Sequence, residues 1–245
     1  IDLEDGCPAD KKILAREELI NLLKENAFTK PVFIRVNDAM DAIGREDIDA
    51  ISPYQDQIEA IILPKTQSFD FLATLAPMID FSNKLVPLIE TPRAIDTVTQ
   101  IAAFKDVVGL FFGAADSSAS LGCKLAWEPL LYARQKVVLA AAMYNLFTID
   151  APFFYIDDKE GLKKEAEAVK NLGFTGKAAI HPDQIDFINE SFAPTSEEIA
   201  EGKKVLEEYQ KSGGGAVKID GQMVDEPIAE AMRLKISLGE EENED

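Results

Sequence analysis

Two carboxylates that follow consecutive apolar runs could together bind a cation. Glu90 ends the run KLVPLIE (84–90), and Asp116 follows VVGLFFG (107–113) among the small residues of FFGAADSSASLG (111–122). Two close carboxylates repel each other unless a cation or a proton lies between them. Carboxylate oxygens with open positions beside them suit Mg²⁺, which keeps several waters and accepts substrate oxygens. The spacing alone predicts, with equal weight, a magnesium site or two acids that each cap the following helix.

Two basic residues also follow apolar runs. Arg35, in FIRVN, cannot lie buried without an anion. It would either bind a substrate carboxylate through two hydrogen bonds or pair structurally with Glu4 or Asp5, and the residues alone slightly favour the structural pair. Lys65, in LPK, has the same two interpretations. A positive charge near Glu90 would keep that acid ionised and ready for a metal.

Two further residues could take part in proton transfer. His181 is the only histidine and lies between an apolar run and Pro182, which favours a structural or supporting role over that of a base. Asp225 lies in SGGGAVKIDGQMVDEP (212–227), whose glycines and Asp-Gly pair indicate a flexible arm or a short hairpin. Asp225 is either the N-cap of a last helix that starts near Pro227 or an acid that a lid carries into a site. With one histidine in the chain, a carboxylate is the expected proton carrier.

The elements that must position these residues are short apolar runs that alternate with amphipathic segments. The runs are IDLE (1–4), PVFIRV (31–36), IEAIILP (58–64), KLVPLIE (84–90), VVGLFFG (107–113), LFTIDAPFF (146–154) and KAAIHP (177–182). They recur about every 30 residues, the length of one parallel βα unit with its crossover helix. Seven such runs fit either an open doubly wound sheet or a (β/α)8 barrel that lacks one unit.

The polar residues at the ends of the runs favour the barrel. In a (β/α)8 (TIM) barrel the strand ends converge on one face, where the active site lies, whereas an open sheet spreads them along a line. No GxGxxG or GxxxxGK[ST] sequence follows a run, which removes the main support for a nucleotide-binding open sheet. We predict an α/β TIM barrel over residues 1–192 whose first βα unit, before Ile1, is absent. Residues 193–245 are predicted to form C-terminal helices and a Gly-rich arm.

Three segments between the runs carry helix signals. TPRAIDTVTQIAAF places four apolar residues on one face, and LAWEPLLYARQKVVLAAAMYNL is apolar enough to pack heavily against the sheet or a partner subunit. TSEEIAEGKKVLEEYQK begins with a capping box of Thr195 and Glu198 and must end at SGGG. The acidic tail EENED (241–245) is expected to fray.

Composition limits the possible partners and location. A chain of 245 residues that is 47% hydrophobic can bury a large core, and its net charge of -19 argues against nucleic-acid and anionic-membrane partners. An anionic ligand would need a locally basic pocket. Two cysteines make no disulfide framework, and no apolar run reaches the roughly 20 residues of a membrane span. Since no signal-peptide pattern is present, we expect a cytoplasmic protein.

An ordered set of motifs resembles that of the citrate lyase β-subunit-like (CitE-like) proteins of the HpcH/HpaI aldolase superfamily. The motifs are DLEDGCPADK, RVN, LPK, LIETPRAI, FGAADSSASLG, LLYARQKVVLAA, GFTGKAAIHPDQI and GGGAVKIDGQMVDEP. Each is weak by itself, but their order is specific and extends from Ile1 to about Ser237. The resemblance implies a (β/α)8 barrel, although family members begin with an additional strand and a Pro-Gly loop that this chain lacks.

The resemblance also implies a metal site. Glu90, in LIET, and Asp116, in GAAD, would be the Mg²⁺ ligands. Glu4 and Asp5 would support the metal through waters, and Lys65 would lie beside them. One departure from the family pattern is Ala115, where many CitE-like proteins have Glu, and we expect it to bear on substrate choice more than on metal binding.

The remaining roles concern substrate and proton. Arg35 would bind the substrate carboxylate or keto group, and Gly113, Ala114 and Pro92 are expected to border the substrate. In related lyases the acid that matches Asp225 comes from the C-terminal arm of a neighbouring subunit, usually in a trimer. Asp225 would then handle the proton as the thioester enolate forms or is released.

The activity that the resemblance implies is reversible carbon–carbon cleavage of a β-hydroxyacyl thioester such as citryl-, malyl- or citramalyl-CoA. The products would be a keto acid and an acyl thioester. Three hypotheses follow: a stand-alone acyl-CoA lyase, a citryl-thioester lyase subunit that acts on an acyl carrier protein, or a catalytically silent oligomeric protein. The absent first unit gives the third hypothesis its weight.

Overall fold

Six parallel strands, each hydrogen-bonded to the next in chain order, carry the candidate residues. The computed structural model describes residues 1–79, 81, 84–213 and 215–241. The strands of the sheet are β1 (Phe33–Arg35), β2 (Ala60–Leu63), β3 (Leu85–Ile89), β4 (Gly109–Phe112), β5 (Phe147–Asp150) and β6 (Gly176–Lys177). Their spatial order equals their chain order, and every neighbouring pair is parallel.

Helices connect the strands and continue beyond the sheet. Those of the described residues are α1 (Lys12–Lys24), α2 (Ala42–Ile51), α3 (Phe69–Leu75), α4 (Pro92–Ala102), α5 (Ala114–Leu121), α6 (Trp127–Tyr144), α7 (Lys159–Leu172), α8 (Ile185–Phe192), α9 (Ser196–Lys211) and α10 (Glu226–Glu241). Short 3₁₀ helices lie at Ala9–Lys11, Ser52–Gln57, Ala76–Met78 and Pro182–Gln184. None of the helices in the described residues is both long and apolar enough to cross a membrane.

The strand order separates the two predicted architectures. A doubly wound sheet reverses its order at a switch point, and none of these six strands does so. Because parallel crossovers are right-handed, an unreversed order puts every connecting helix on the same face of the sheet. The other face must then be buried by the curling of the sheet upon itself. The predicted α/β class with a TIM-like curled sheet is confirmed.

A contact between aromatic side chains on the inner face shows that the sheet curls. Phe33 of β1 and Phe147 of β5 meet edge to face with their ring centroids 5.8 Å apart. Four strand spacings separate β1 from β5, which is about 19 Å in a flat sheet. The two rings pack around an inner cluster of Ala60, Ile62, Val86 and Leu88. Side chains therefore fill the interior, and ligands are confined to the ends of the strands.

The first and last predicted runs form less strand than the pattern suggested. Of IDLE, Asp2 alone pairs, in an isolated parallel bridge with Arg35 that continues the sheet beyond β1. Of KAAIHP, strand β6 includes Lys177 alone, and a 3₁₀ helix starts at Pro182. At the edge of a sheet a run has one neighbour to pair with, so apolar composition there overstates strand length. His181 caps this 3₁₀ helix, because its Nδ1 accepts the N–H of Asp183 at 3.2 Å.

Helix α4 forms as predicted and buries the predicted face. Thr91 is its N-cap, with the hydroxyl accepting the N–H of Ala94 at 3.1 Å, and Pro92 occupies the first turn. Ile95, Val98, Ile101 and Ala102 are among its buried residues. Its neighbour α6 is apolar on its inner side through Leu130, Ala133, Val137, Ala140 and Ala141. Packing of α4 and α6 thus covers the outer face of the sheet behind β3 and β4.

A buried ion cluster ties α6 to the sheet. Asp150, on β5, accepts hydrogen bonds from Arg134 Nε and Lys177 Nζ, both at 2.8 Å, and all three side chains are at most 4% exposed. The guanidinium of Arg134 lies over the rings of Phe112 and Trp127, at 5.2 and 4.8 Å. Because Phe112 is the last residue of β4, this cluster also fixes the strand that leads to Asp116.

The chain forms two compact units, residues 1–154 with 168–180 and residues 155–167 with 181–245. In the second unit, Thr195 and Glu198 make the predicted capping box of α9. Strands β7 (Val217–Ile219) and β8 (Gln222–Val224) form a hairpin whose turn, Asp220-Gly221, has positive φ at both residues, as a type I′ turn requires. The predicted boundary at residues 192 and 193 stays a prediction. Residues 242–245 of the acidic tail lie outside the described residues.

Candidate active site

Four candidate residues lie at the carboxyl edge of the sheet. Arg35 is the last residue of β1, Lys65 follows β2 by two residues, Glu90 follows β3 directly, and Gly113 follows β4 directly. Since the strands are parallel and consecutive, their carboxyl ends meet at one edge. The register pairs Ile89 with Phe112, so Glu90 and Gly113 are neighbours across the β3–β4 pair.

Lys65 is the cation on which the acids converge. Its Nζ lies 2.7 Å from Asp116 Oδ1, 3.4 Å from Glu90 Oε1 and 3.9 Å from Glu4 Oε1. The backbone of Lys65 is left-handed, with φ of 56°, and its N–H donates to Glu90 Oε1 at 2.7 Å. Backbone and ammonium together therefore hold Glu90 in place. The convergence of Glu90 and Asp116 that strand order predicted is present.

Gly113 makes room for Glu90. A Cβ added at Gly113 would lie 2.6 Å from Glu90 Cβ and 3.0 Å from its Oε2. A side chain there would push the carboxylate away from Lys65. Neither acid caps its helix: Thr91 caps α4, Gly113 stands at the N-cap position of α5, and Asp116 lies in the first turn of α5. The alternative interpretation of the two acids as helix caps is therefore wrong.

Arg35 pairs structurally, and its main partner is a residue that the sequence did not indicate. Its Nε and Nη2 donate to Asp2 Oδ1 and Oδ2 at 2.8 and 2.5 Å. Nη1 lies 2.8 Å from Glu4 Oε2, an ion pair whose angle does not make a hydrogen bond. The expected partner Glu4 is thus present, while Asp5 is exposed and makes no such pair in the described residues.

Burial dominates the electrostatics of the acids. Desolvation raises the pKa of Glu4 to about 7, although Arg35 acts in the opposite direction. Burial also raises the pKa of Glu90, which is 1% exposed, and the N–H and ammonium of Lys65 offset part of that rise. Lys65 itself has a raised pKa: burial acts to lower it, but Asp116 and Glu90 outweigh burial. Burial therefore opposes ionisation of Glu4 and Glu90, and a bound cation would favour their charged forms.

The donor set fits Mg²⁺ in number and in kind. Among the described residues, no three Asp, Glu, His or Cys side chains are close enough to form a metal cage by themselves. Mg²⁺ uses few protein carboxylates and keeps waters and substrate oxygens, so two carboxylates with open space beside them suffice. The oxygen-only donors and the space that Gly113 leaves beside Glu90 meet this requirement. Glu90 and Asp116 are the residues that could hold the ion.

Three other residues that the sequence indicated near this edge differ in their exposure to solvent. Pro92, in the first turn of α4, is exposed, whereas Ala114, the first residue of α5, is 2% exposed and lies beneath the surface. Ala115 is exposed beside Asp116. Asp225 belongs to the second unit, between β8 and α10, where its carbonyl accepts the N–H of Ala229 at 2.9 Å.

Comparison with known proteins gives this site a family. The sequence model of the HpcH/HpaI aldolase/citrate lyase family matches residues 1–182. The chain belongs to this family. The matched residues include the strand-end residues described above, from Glu4 to Asp116.

Relatives in the HpcH/HpaI family extend the match along almost the whole chain. The human mitochondrial citramalyl-CoA lyase is 30% identical over 264 residues, covering 97% of this chain and 77% of that protein. RipC from Yersinia pestis is 40% identical with a TM-score of 0.72, covering 81% of this chain and 90% of that one. The Mycobacterium tuberculosis protein CitE, in complex with magnesium, acetoacetate and coenzyme A, is 29% identical with a TM-score of 0.83. That alignment covers 98% of this chain and 88% of the CitE chain.

The sequence reasoning missed the residues that hold the Glu4 loop of this family member. Lys12 Nζ donates to the carbonyls of Leu3 and Glu4, each at 3.3 Å, and to the side-chain oxygen of Asn37. The carboxylate of Asp2 also holds this loop, because it accepts the backbone N–H groups of Glu4 and Gly6. Strand alternation was the available signal, because Asp2 and Glu4 must share a face in an extended segment.

Proposed function

We propose that this chain is a Mg²⁺-dependent carbon–carbon lyase. It would cleave, or in reverse form, a β-hydroxyacyl thioester such as citramalyl-, malyl- or citryl-CoA, with a keto acid and an acyl thioester as products. The observation that carries the proposal is the convergence of Glu90 and Asp116 on one cation, Lys65 Nζ, at the carboxyl edge of the sheet. The family match and the human relative named as a citramalyl-CoA lyase support it.

Each residue at this edge has a proposed role. Glu90 and Asp116 would hold Mg²⁺, and Glu4 and Asp5 would support it through waters. When bound, Mg²⁺ supplies a Lewis acid that polarises substrate oxygens. Lys65 favours the ionised form of Glu90, because its ammonium lies 3.4 Å away and offsets part of the rise in pKa that burial causes. The M. tuberculosis CitE structure, which contains magnesium, supports this assignment.

Arg35 would bind the carboxylate of the keto-acid portion, with Gly113, Ala114 and Pro92 bordering the substrate. During cleavage the β-hydroxyl loses its proton to a carboxylate, and the carbon–carbon bond breaks. The bonding electrons pass into the thioester as an enolate, and one proton returns to the enolate carbon. Asp225 is the proposed donor of the second proton.

The proposed function includes an oligomer, because Asp225 would come from another subunit. We propose that Asp225 enters the site from the C-terminal arm, residues 193–245, of a neighbouring subunit in a trimer. The arm carries a hairpin with a two-residue turn and a small core of its own, from Val205 to Ala229. We also propose that the curled sheet is that of a (β/α)8 barrel. A cytoplasmic location stays a prediction.

Cleavage assays test the proposal directly. Purified protein with Mg²⁺ is expected to release a keto acid from at least one of citramalyl-, malyl- and citryl-CoA, and chelation should abolish the release. Glu90→Gln and Asp116→Asn should each lose at least about 100-fold in kcat/KM. Glu59→Gln, an exposed acid that precedes β2 at the opposite edge, is the matched control. Inactivity on every thioester would instead favour a catalytically silent protein.

A second candidate is the citryl-thioester lyase subunit of a citrate lyase complex, which the citrate lyase part of the family match supports. Its thioester would be carried by an acyl carrier protein. Activity on the citryl-carrier protein that exceeds activity on citryl-CoA by a large factor would identify this function. Equal or greater activity on the free CoA ester favours the stand-alone lyase.

A further inference from the structure

Asp2 accepts more hydrogen bonds than a surface ion pair requires. Its Oδ1 receives the N–H of Glu4 at 2.9 Å and Arg35 Nε at 2.8 Å. Its Oδ2 receives the N–H of Gly6 at 2.9 Å and Arg35 Nη2 at 2.5 Å. One carboxylate therefore joins the loop that carries Glu4 to the end of β1.

The backbone around Asp2 is arranged to permit this. Arg35 N donates to Ile1 O and Leu3 N donates to Arg35 O, both at 2.8 Å, which places Asp2 and Arg35 side by side in a parallel bridge. A Cβ on Gly6 would lie 2.4 Å from Asp2 Oδ2, so only glycine allows that N–H to approach. Bridge, glycine and two loop N–H groups all fix the position of the Asp2 carboxylate.

Asp2 occupies one edge of the Arg35 guanidinium, the edge formed by Nε and Nη2. Arginine has five N–H donors, and Asp2 uses one on Nε and one on Nη2. The edge formed by Nη1 and Nη2 retains N–H donors, and a carboxylate bound there would lie beside Glu4, whose Oε2 is 2.8 Å from Nη1 in an ion pair without a hydrogen bond. A planar carboxylate binds such an edge through two parallel hydrogen bonds. The side chain of Arg35 is 23% exposed, so part of it faces solvent.

We propose that Asp2 is a positioning residue that fixes the guanidinium plane of Arg35, so that its Nη1–Nη2 edge receives the carboxylate of the keto acid. The part that concerns the keto acid rests on the proposed function. The alternative is that Asp2 only neutralises Arg35. The two hypotheses predict opposite effects of removing Asp2 on anion binding. Loss of a positioning residue weakens anion binding, whereas loss of a neutralising charge strengthens it.

Pyruvate binding in saturating Mg²⁺, measured by calorimetry on the full chain, separates the two. Asp2→Ala is expected to weaken pyruvate binding by roughly ten- to a hundredfold and to raise KM more than it lowers kcat. Asp2→Asn, which keeps one acceptor, should lie between Asp2→Ala and the native protein. Mg²⁺ affinity should fall less than pyruvate affinity, because Glu90 and Asp116 are untouched and only the Glu4 loop loses its two hydrogen bonds to Asp2. Asp10→Asn, an exposed acid in the following 3₁₀ helix, controls for the change in net charge. Unchanged or tighter pyruvate binding in Asp2→Ala would overturn the proposal.

A second measurement does not depend on the activity. The Nε–Hε group of Arg35 should exchange with water at least about tenfold faster in Asp2→Ala, which has no acceptor, than in the native protein, as NMR can measure. An unchanged exchange rate would show that Asp2 does not hold the guanidinium. If exchange accelerates but the native protein neither binds pyruvate nor cleaves a thioester, the proposed function fails and the keto-acid part falls with it.

Discussion

At the scale of single residues, the edge site depends on what is missing as much as on what is present. Gly113 has no side chain, so the carboxylate of Glu90 can lie against β4 and receive the N–H of Lys65 at 2.7 Å. The backbone of Lys65, which donates that N–H, adopts a left-handed conformation. Three carboxylates, those of Glu4, Glu90 and Asp116, can then lie within 3.9 Å of the Lys65 ammonium, and Arg35 also pairs with Glu4.

Gly113→Ala should weaken Mg²⁺ binding while leaving the fold intact. The added methyl group would lie 2.6 Å from Glu90 Cβ, so the carboxylate must move. We expect a loss of roughly tenfold in Mg²⁺ affinity by calorimetry. Gly176→Ala is the matched control, because a Cβ at Gly176 meets nothing within 4 Å. Equal losses in both variants would remove the role assigned to Gly113.

Mg²⁺ affinity should rise with pH and then level off. Burial raises the pKa of Glu90, and it raises that of Glu4 to about 7 from the ordinary 4.5. A metal binds the deprotonated acid, so protons compete with Mg²⁺ below these pKa values and cease to compete above them. Calorimetry should show affinity increasing from about pH 5 to about pH 7 and little change beyond. Affinity that is constant over this range would contradict the shifted pKa values.

At the scale of elements, parallel register decides which charges meet. Strand order alone predicted that Glu90 and Asp116 converge, because consecutive parallel strands end at one edge. It could not identify Asp2 as the partner of Arg35, since that pairing depends on a single bridge at the margin of the sheet. The Arg134–Asp150–Lys177 cluster could not be predicted from the sequence either. Its members are separated by 16 and 27 residues, and no local pattern indicates that they share one buried space.

The ion cluster should contribute strongly to stability. Asp150→Asn would leave Arg134 and Lys177 as two buried cations without their shared anion. Removal of one partner from a buried ion pair costs about 3–5 kcal/mol, and urea denaturation should show a loss of that size. Asp96→Asn, in the exposed Lys136–Asp96 pair, should change stability by about 0.5 kcal/mol or less. A similar small change in Asp150→Asn would mean that the buried cluster does not stabilise the sheet.

At the scale of the whole molecule, a net charge of -19 surrounds a site proposed to bind anions. Attraction must then be local, from Arg35, Lys65 and a bound metal, because the overall field repels a keto acid. The proposed site residues from Glu4 to Asp116 belong to the first unit, while Asp225 belongs to the second unit. Asp225 could be named only through the family resemblance, because a contact between subunits leaves no pattern in the sequence of one chain.

Mixed oligomers can show whether Asp225 acts between subunits. Asp116→Ala and Asp225→Ala should each be inactive alone. If each site takes Asp116 from one subunit and Asp225 from the next, equal mixing after refolding should restore about a quarter of native activity. Mixtures of Asp116→Ala with Glu90→Gln, whose residues lie in one unit, should recover nothing. Failure of the first mixture to recover activity would place Asp225 within its own subunit or outside the site.

The contact between Phe33 and Phe147 also has a consequence for how the protein folds. The two rings meet edge to face although they are over a hundred residues apart along the chain. Contacts of such long sequence separation close large loops and slow the folding search. During synthesis β1 therefore cannot complete its inner packing until β5 has left the ribosome. The edge proposed to bind the metal is expected to become ordered late, after most of the chain has been made.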